Sequence, residues 1–427
     1  MKHIVLFGAG KSATVLIDFL KILATKRNWK VTIIDGDKNL LDSKIGVHEL
    51  VKGKTVDIFN EEEKNKIVQQ ADIVISLMPP HLHMLIAKAC LQFNKNLLTA
   101  SYIDEATKTL SKQVEEKGLL FLYEMGLDPG IDHMSAMQII DEIKSKRGQI
   151  TSFKSHCGGL VTPESINNPW CYKLTWNPRN IVLAGSSGAI FIEDNEEKIL
   201  KYQDLFNAQN ILQLPNGEVY GYYANRDSLS YRPIYGLQNC STFIRTTLRF
   251  PEFIKGWKKI VDLKLTDEEK VYQTDNLTFA NFFQQHLKRF NLTTQVDKQL
   301  EYFGWYDGET MINKGLCAAV DVLQFIMESK LALQENDKDM IIMLHEFEYK
   351  IENKTHHLKS LLKVVGDNHA ETAMAKTVGL PLGIAAELIL DGVITSKGLQ
   401  IPTSRNIYQP VLEKLQEHNI VFEEFRT

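Results

Sequence analysis

An apolar run, His3-Ile4-Val5-Leu6-Phe7, passes directly into Gly8-Ala9-Gly10-Lys11-Ser12-Ala13. An amphipathic helical pattern follows, then a second apolar run from Lys30 to Ile34 that closes on Asp35. Strand, glycine turn, helix, strand and acid in that order make a βαβ unit, whose two strands must lie parallel in one sheet. Gly8 permits the tight turn, Gly10 lets backbone approach a pyrophosphate, and Ala13 lets the helix pack close to the strand. The N–H groups of Lys11, Ser12 and Ala13 then face the negative charge. The pattern implies a nicotinamide or flavin dinucleotide; a glycine turn in an ordinary α/β protein is the plainer alternative.

The chain has 427 residues, more than one compact core holds, so several domains are expected. Its formal net charge is −4, which gives no bulk electrostatic reason to expect nucleic acid or a membrane surface as partner. No apolar run is expected to reach the roughly 18 residues that span a bilayer; the nearest candidate, Val378 to Leu390, carries Glu387. The start of the chain reads as a strand and phosphate loop rather than a signal peptide. Five scattered cysteines without a C-x-x-C pair fit a reducing cytoplasm better than a disulfide framework or a zinc site. With no H-E-x-x-H either, no metal is expected.

Up to about residue 130 strand and helix patterns alternate. The first helix runs from about Ser12 to Lys26, with Val15, Leu16, Phe19, Leu20 and Leu23 on one face. Strands are expected at Asp72–Leu77, Asn96–Ala100 and Leu119–Tyr123, with helices at His83–Phe93 and Ile103–Lys117 between them. The fold class is therefore α/β, a Rossmann-type doubly wound parallel sheet, whose ligands bind beyond the strand C-termini. The loops there carry Leu77 and Pro79, Ser101 and Tyr102, and Gly126 to Gly130. From about Ile150 shorter strand patterns appear: Thr151–Ser155, Val219–Tyr223, Thr242–Phe250, Met340–Tyr349 and His357–Val365. They suggest a mixed α/β domain. Residues 278–333 look helical, as do Ala370–Leu390 and Tyr408–Glu417, and a short strand, Val421–Phe425, ends the chain.

Several motifs then coincide in one order along the whole chain. They are Ile75-Ser76-Leu77-Met78-Pro79-Pro80, Thr99-Ala100-Ser101-Tyr102 and Glu124-Met125-Gly126-Leu127-Asp128-Pro129-Gly130-Ile131-Asp132-His133. Cys157-Gly158-Gly159-Leu160, Asn168-Pro169, Tyr172-Lys173, Asn225-Arg226-Asp227-Ser228, Arg245-Thr246-Thr247-Leu248-Arg249-Phe250 and Ala373-Met374-Ala375-Lys376-Thr377-Val378-Gly379-Leu380-Pro381 complete the set. Together they resemble the glutamate-forming saccharopine dehydrogenase family, also called saccharopine reductases, and most of all the dehydrogenase half of the bifunctional animal enzyme.

The resemblance implies NAD(P)-dependent cleavage of saccharopine to L-glutamate and 2-aminoadipate 6-semialdehyde, or the reverse condensation, in lysine metabolism. It also implies a homodimer with small-molecule partners only. Three domains are then expected: 1–130 joined by the tail from about 391 to 427, a saccharopine-binding domain from 131–277 and about 334–390, and a helical insertion at 278–333. The expected site is a cleft between the first two, closed by hinge motion near Gly130.

Asp35 and Asp37 predict NAD over NADP, because a carboxylate there bonds the ribose hydroxyls and repels a 2′-phosphate; Lys38 would offset a phosphate in part. Two solvated turn acids are the alternative. By resemblance Ser101 and Tyr102 contact saccharopine, Ser101 also lies at the cofactor, and Tyr102 has a hydroxyl that can relay a proton. A helix N-cap at Ser101 beside a packed tyrosine is the plainer reading. Asp128 would bind the substrate amine and take its proton, although Asp-Pro-Gly alone reads as a type II turn. Cys157 is a weaker catalytic candidate, since lone cysteines usually behave as small apolar residues. His156 stands where the family has an aromatic Tyr and is an alternative base.

Saccharopine carries three carboxylates, and arginine grips a carboxylate through two parallel hydrogen bonds. Arg226, Arg245 and Thr247 match the family's substrate positions. Alternation places Arg249 on the same strand face as Arg245 and Thr247, against the alternative of an exposed charged sheet. Arg179 and Arg232 are lesser candidates. Rival readings are a carboxyspermidine-type reductase, with fewer carboxylates to bind, and a non-catalytic nucleotide sensor, which has no need of Tyr102, Asp128 and Arg226 together.

Overall fold

A computed structural model describes all residues, Met1–Thr427. The chain divides into two compact units, Met1–Gln149 with Leu362–Glu423, and Ile150–Leu361 with Glu424–Thr427.

The first unit is built on a seven-stranded parallel sheet. Its strands are β1 (His3–Phe7), β2 (Lys30–Asp35), β3 (Val51–Thr55), β4 (Ile73–Ser76), β5 (Asn96–Thr99) and β6 (Leu120–Leu122), with Gly398–Gln400 added last. Their spatial order is Gly398–Gln400, β6, β5, β4, β1, β2, β3. β1 pairs in register with β2 (His3 to Lys30) and with β4 (Phe7 to Ser76), so the strand order reverses beside β1. A parallel sheet covered on both faces buries its strands completely, and all five residues of β1 and all four of β4 are buried.

The helix α1 (Thr14–Arg27) ends in left-handed Asn28, and α2 (Lys38–Ile45) is capped by Asp37. Helix α1 packs on Ala373–Leu390, and two glycines set how closely. A Cβ on Gly379 would come within 3.0 Å of Leu16, and one on Gly383 within 2.5 Å of Phe19. Contrary to expectation, Ala373–Leu390 is by length and composition apolar enough to cross a bilayer, at 18 residues, but 78% of it is buried inside the protein. Its buried Glu387 pairs with Arg27 and Lys414.

The second unit holds most of a ten-stranded mixed sheet. Strand Thr242–Arg249 pairs in parallel with Gln149–Val161 and antiparallel with Val219–Ala224. An aromatic core packs against it: Trp170 stacks on Phe303 with centroids 4.2 Å apart, and Phe253 on Trp257 at 5.1 Å.

Residues 131–145, expected in the second domain and without a helix assigned to them, form helix Ile131–Ser145 of the first unit, and Ala373–Leu390 belongs to that unit too. Residues 278–333 are no separate insertion. Phe279, Phe282 and Val322 share one core with Tyr223, Ile244 and Trp257. The helix expected over Ile103–Lys117 is two short ones, Glu105–Lys108 and Ser111–Glu116. Between them Thr109 and Leu110 donate to the carbonyls three residues back, and this tightens the turn. The strands expected at Met340–Tyr349 and His357–Val365 extend to Ile351 and back to Lys354, leaving a turn of Glu352-Asn353, both left-handed, as a two-residue turn requires.

Candidate active site

In the first unit the chain leaves β1 through Gly8, whose φ is +100°. A Cβ there would lie 2.7 Å from the Leu77 carbonyl oxygen, so only glycine lets the loop follow β4. Gly10 is the opposite case: a Cβ added to it would meet nothing within 4 Å. Its open side is the space a pyrophosphate needs. Beyond it come the short turn Lys11–Ala13 and then α1, neither capped by a side chain. Lys11 is exposed, Ser12 half-buried and Ala13 fully buried. An uncapped helix start of this kind suits an anion, so these residues fit a dinucleotide.

The two acids divide their roles. Asp35 accepts the Ala9 N–H at 2.7 Å through one oxygen and the Asp37 N–H at 3.0 Å through the other. It therefore ties the glycine loop to the end of β2. Asp37 accepts from Asn39 and Leu40, which makes it the cap of α2. Lys38, expected to face a phosphate, is exposed and paired with Asp42. Lys44, which no sequence motif marks, donates from Nζ to the Gly10 carbonyl at 2.5 Å.

At the ends of β4 and β5 a histidine that carries no motif links two serines. His83 bonds Ser76 Oγ through Nδ1 at 2.8 Å and Ser101 Oγ through Nε2 at 2.6 Å. Burial pushes its pKa down to about 4, so the ring is neutral near pH 7. Ser101 is no helix cap: Asp104 takes that place, accepting the Thr107 N–H at 2.7 Å. Leu77 is half-buried with its carbonyl against Gly8, while Pro79 is exposed ahead of the turn Pro80–Leu82.

Tyr102 and Asp128 meet. The tyrosine hydroxyl donates to Asp128 Oδ1 at 3.3 Å, and both side chains are half-buried. The Asp128–Pro129 peptide is cis, so the segment is not the type II turn that its sequence suggests. Gly130 has φ +146°, and a Cβ there would fall within 2.1 to 2.4 Å of Gly126 backbone atoms. Asp132 accepts the Gly130 N–H at 2.6 Å, and Glu124, itself left-handed, bonds His133 at 2.8 Å. Glu124 also accepts the Ile103 N–H at 3.3 Å. A buried polar network thus fixes both sides of the Tyr102–Asp128 pair. Asp132 and His133 carry no functional signal of their own in the sequence, although they lie in the motif that begins at Glu124.

In the second unit Arg245 pairs with Ser155 and Thr247 with Cys157 across neighbouring strands, which puts Arg245, Thr247 and Cys157 on one face. Arg245 is 2% exposed and lies 4.6 Å over the Tyr231 ring. Its carbonyl accepts the Asn225 N–H, which brings Arg226 alongside. Arg226 is exposed and left-handed, with φ +52°. Arg249 donates to the Leu248 carbonyl and packs over Tyr172 and Phe253. Arg245 and Arg249 are buried, so an exposed charged sheet does not describe this strand.

Cys157 is buried within strand Gln149–Val161. His156 points to the other face, bonded to Thr246 at 2.6 Å and to Glu346 at 3.3 Å. Burial alone would raise the Glu346 pKa, but the hydrogen bonds from His156 and Lys359 pull it down to about 2. His156 therefore belongs to a structural pair, not to the Arg245 face. Arg179 is bound to Asp321, and Arg232 to the carbonyls of Gln238 and Cys240. No three His, Cys, Asp or Glu side chains gather as a metal site would need.

Two family models cover the chain: the saccharopine dehydrogenase NADP binding domain over residues 4–122 and the saccharopine dehydrogenase C-terminal domain over 126–421. Alpha-aminoadipic semialdehyde synthase of Arabidopsis thaliana is 31% identical, matching 98% of this chain and 44% of its own length. The chain spans about half the length of that relative. Saccharopine dehydrogenase (NADP(+), L-glutamate-forming) of Saccharomyces cerevisiae is 29% identical over 97% of both chains. The solved apo form of the L-Glu-forming enzyme from the same yeast superposes with a TM-score of 0.88 at 27% identity, covering 100% of each chain.

Proposed function

The chain belongs to the saccharopine dehydrogenase family, and from that premise we propose that it is the L-glutamate-forming enzyme of lysine metabolism. It would convert saccharopine, NAD(P)+ and water into L-glutamate, 2-aminoadipate 6-semialdehyde, NAD(P)H and a proton, or run the reverse condensation. The full-length match to the yeast enzyme, together with the Tyr102–Asp128 pair on the nucleotide-binding unit, supports this reading.

The bound coenzyme supplies the acceptor for hydride from the C–H beside the secondary amine. The chain's own residues do the rest. The Gly8–Ala13 loop holds the diphosphate on uncapped N–H groups. Asp128 accepts the proton released at the amine nitrogen, a task that needs a carboxylate within hydrogen-bond reach. Tyr102 donates to that carboxylate and orients it. Arg226, Arg245 and Thr247 are assigned to the substrate's carboxylates, for which a guanidinium fork is suited.

The finer proposals are NAD ahead of NADP, on the strength of Asp35 at the end of β2, and a homodimer. A cytoplasmic location is proposed from five free thiols. The observation that carries the reading is the 3.3 Å Tyr102–Asp128 contact. The test is absorbance of reduced coenzyme when the protein meets saccharopine with NAD+ or NADP+. No reduction with either coenzyme, in protein that binds them, would refute the proposal.

A further inference from the structure

Lys44 lies in the last turn of α2 and reaches back to the Gly10 carbonyl of the glycine loop. The charges facing it come from two elements. Asp35 on β2 and Asp18 on α1 both favour its protonated form, while burial pushes it down to about 8. Lys21 of α1 donates to the Lys44 backbone carbonyl at 2.5 Å and so fixes where its stem starts. The ammonium has three N–H donors, and the Gly10 carbonyl takes one.

In this fold the adenosine ribose of a dinucleotide lies over the end of the second strand, where an acid meets the 2′ position. NADP adds a phosphate there, close to two negative charges. Asp35 alone would repel it. Yet each Asp35 oxygen already accepts a backbone N–H, and the carboxylate and the Lys44 cation attract one another. Of the other lysines nearby, Lys38 is committed to Asp42 and Lys11 is exposed.

We propose that Lys44 is the residue through which this chain admits NADP as a second coenzyme, its ammonium pairing with the 2′-phosphate while Asp35 keeps NAD acceptable. The inference rests on the reading of the Gly8–Ala13 loop as a dinucleotide site, and the experiment separates the two.

Dissociation constants for NAD+, NADP+, 5′-AMP and 2′,5′-ADP are measured by calorimetry on the full chain, without substrate, for wild type, Lys44→Met and Lys44→Arg. The wild type should bind both coenzymes. Lys44→Met should weaken NADP+ and 2′,5′-ADP about tenfold or more while NAD+ and 5′-AMP change by no more than about twofold. Lys44→Arg should restore most of the loss. Equal losses for both coenzymes, no loss for either, or a wild type that takes NAD+ alone would overturn the proposal. A wild type that binds neither coenzyme would instead remove the dinucleotide site itself.

Discussion

Asp128→Asn removes a base while keeping the shape of the side chain. Asp128 is half-buried and accepts a 3.3 Å hydrogen bond from Tyr102. An amide oxygen can accept the same bond, so folding stability should change by no more than about 1 kcal/mol. The catalytic loss should be much larger, since a positioned general base contributes about 10²–10⁴-fold. Tyr102→Phe removes the donor that orients Asp128 and should cost less, about tenfold. If Tyr102 acts only through Asp128, the double variant should be no slower than Asp128→Asn alone, because residues working as a unit are not additive. Steady-state reduction of coenzyme, with a thermal melt on each variant, gives both numbers. A kcat for Asp128→Asn within threefold of wild type would remove the carboxylate from the chemistry, and full additivity would give Tyr102 an independent role.

Gly383→Leu should lower the melting temperature sharply, by about 2–4 kcal/mol in stability, because even a Cβ would lie 2.5 Å from Phe19; an unchanged melt would mean the two helices are free to part. Arg245→Lys keeps the charge but loses the fork, so KM for saccharopine should rise about tenfold while coenzyme affinity stays constant, as inhibition and binding assays would report. His83 is held neutral with its pKa depressed to about 4, against 6.5 in an unfolded chain. Its contribution should be complete above pH 6.5 and lost as pH falls from 6.5 towards 4, by about 3 kcal/mol at most. His83→Gln should flatten that part of the stability curve in denaturant titrations, and an identical pH slope in both proteins would contradict the assignment.

The sequence made the first unit legible because its signals are local. A glycine turn, an apolar strand and an acid lie close together in the chain, and the structure keeps them so. What it hid is non-local or lacks a distinctive residue pattern. Helix Ile131–Ser145 starts directly after Gly130, and its run of buried residues on every side erases the periodicity by which helices are read. His83 sits in an undistinguished helix start, and only the meeting of β4 and β5 brings Ser76 and Ser101 to its two nitrogens. Lys44 and Gly10 are 34 residues apart. Cys157, His156 and the arginines were identified as residues, but the strand pairing alone separates the Arg245 face from the His156 face.

The region around Asp128 indicates why such a site carries buried polar groups at all. Glu124, Asp132 and His133 are at most 3% exposed, and burying carboxylates costs several kcal/mol unless they are bonded. Here each one is: Asp132 takes the Gly130 N–H, and Glu124 takes both His133 and the Ile103 N–H. Ile103 directly follows Tyr102, and Gly130 comes two residues after Asp128. The network therefore grips the backbone on both sides of the one contact whose geometry the proposed proton transfer needs. An apolar filling of the same volume would be expected to stabilise the unit at least as well, but it could not hold those two N–H groups in place. Glu124→Gln tests this directly. Stability should fall modestly, the coenzyme dissociation constant should stay fixed, and kcat should fall at least tenfold as the Tyr102–Asp128 pair loosens. A variant that melts early yet turns over at the wild-type rate would reduce the network to packing.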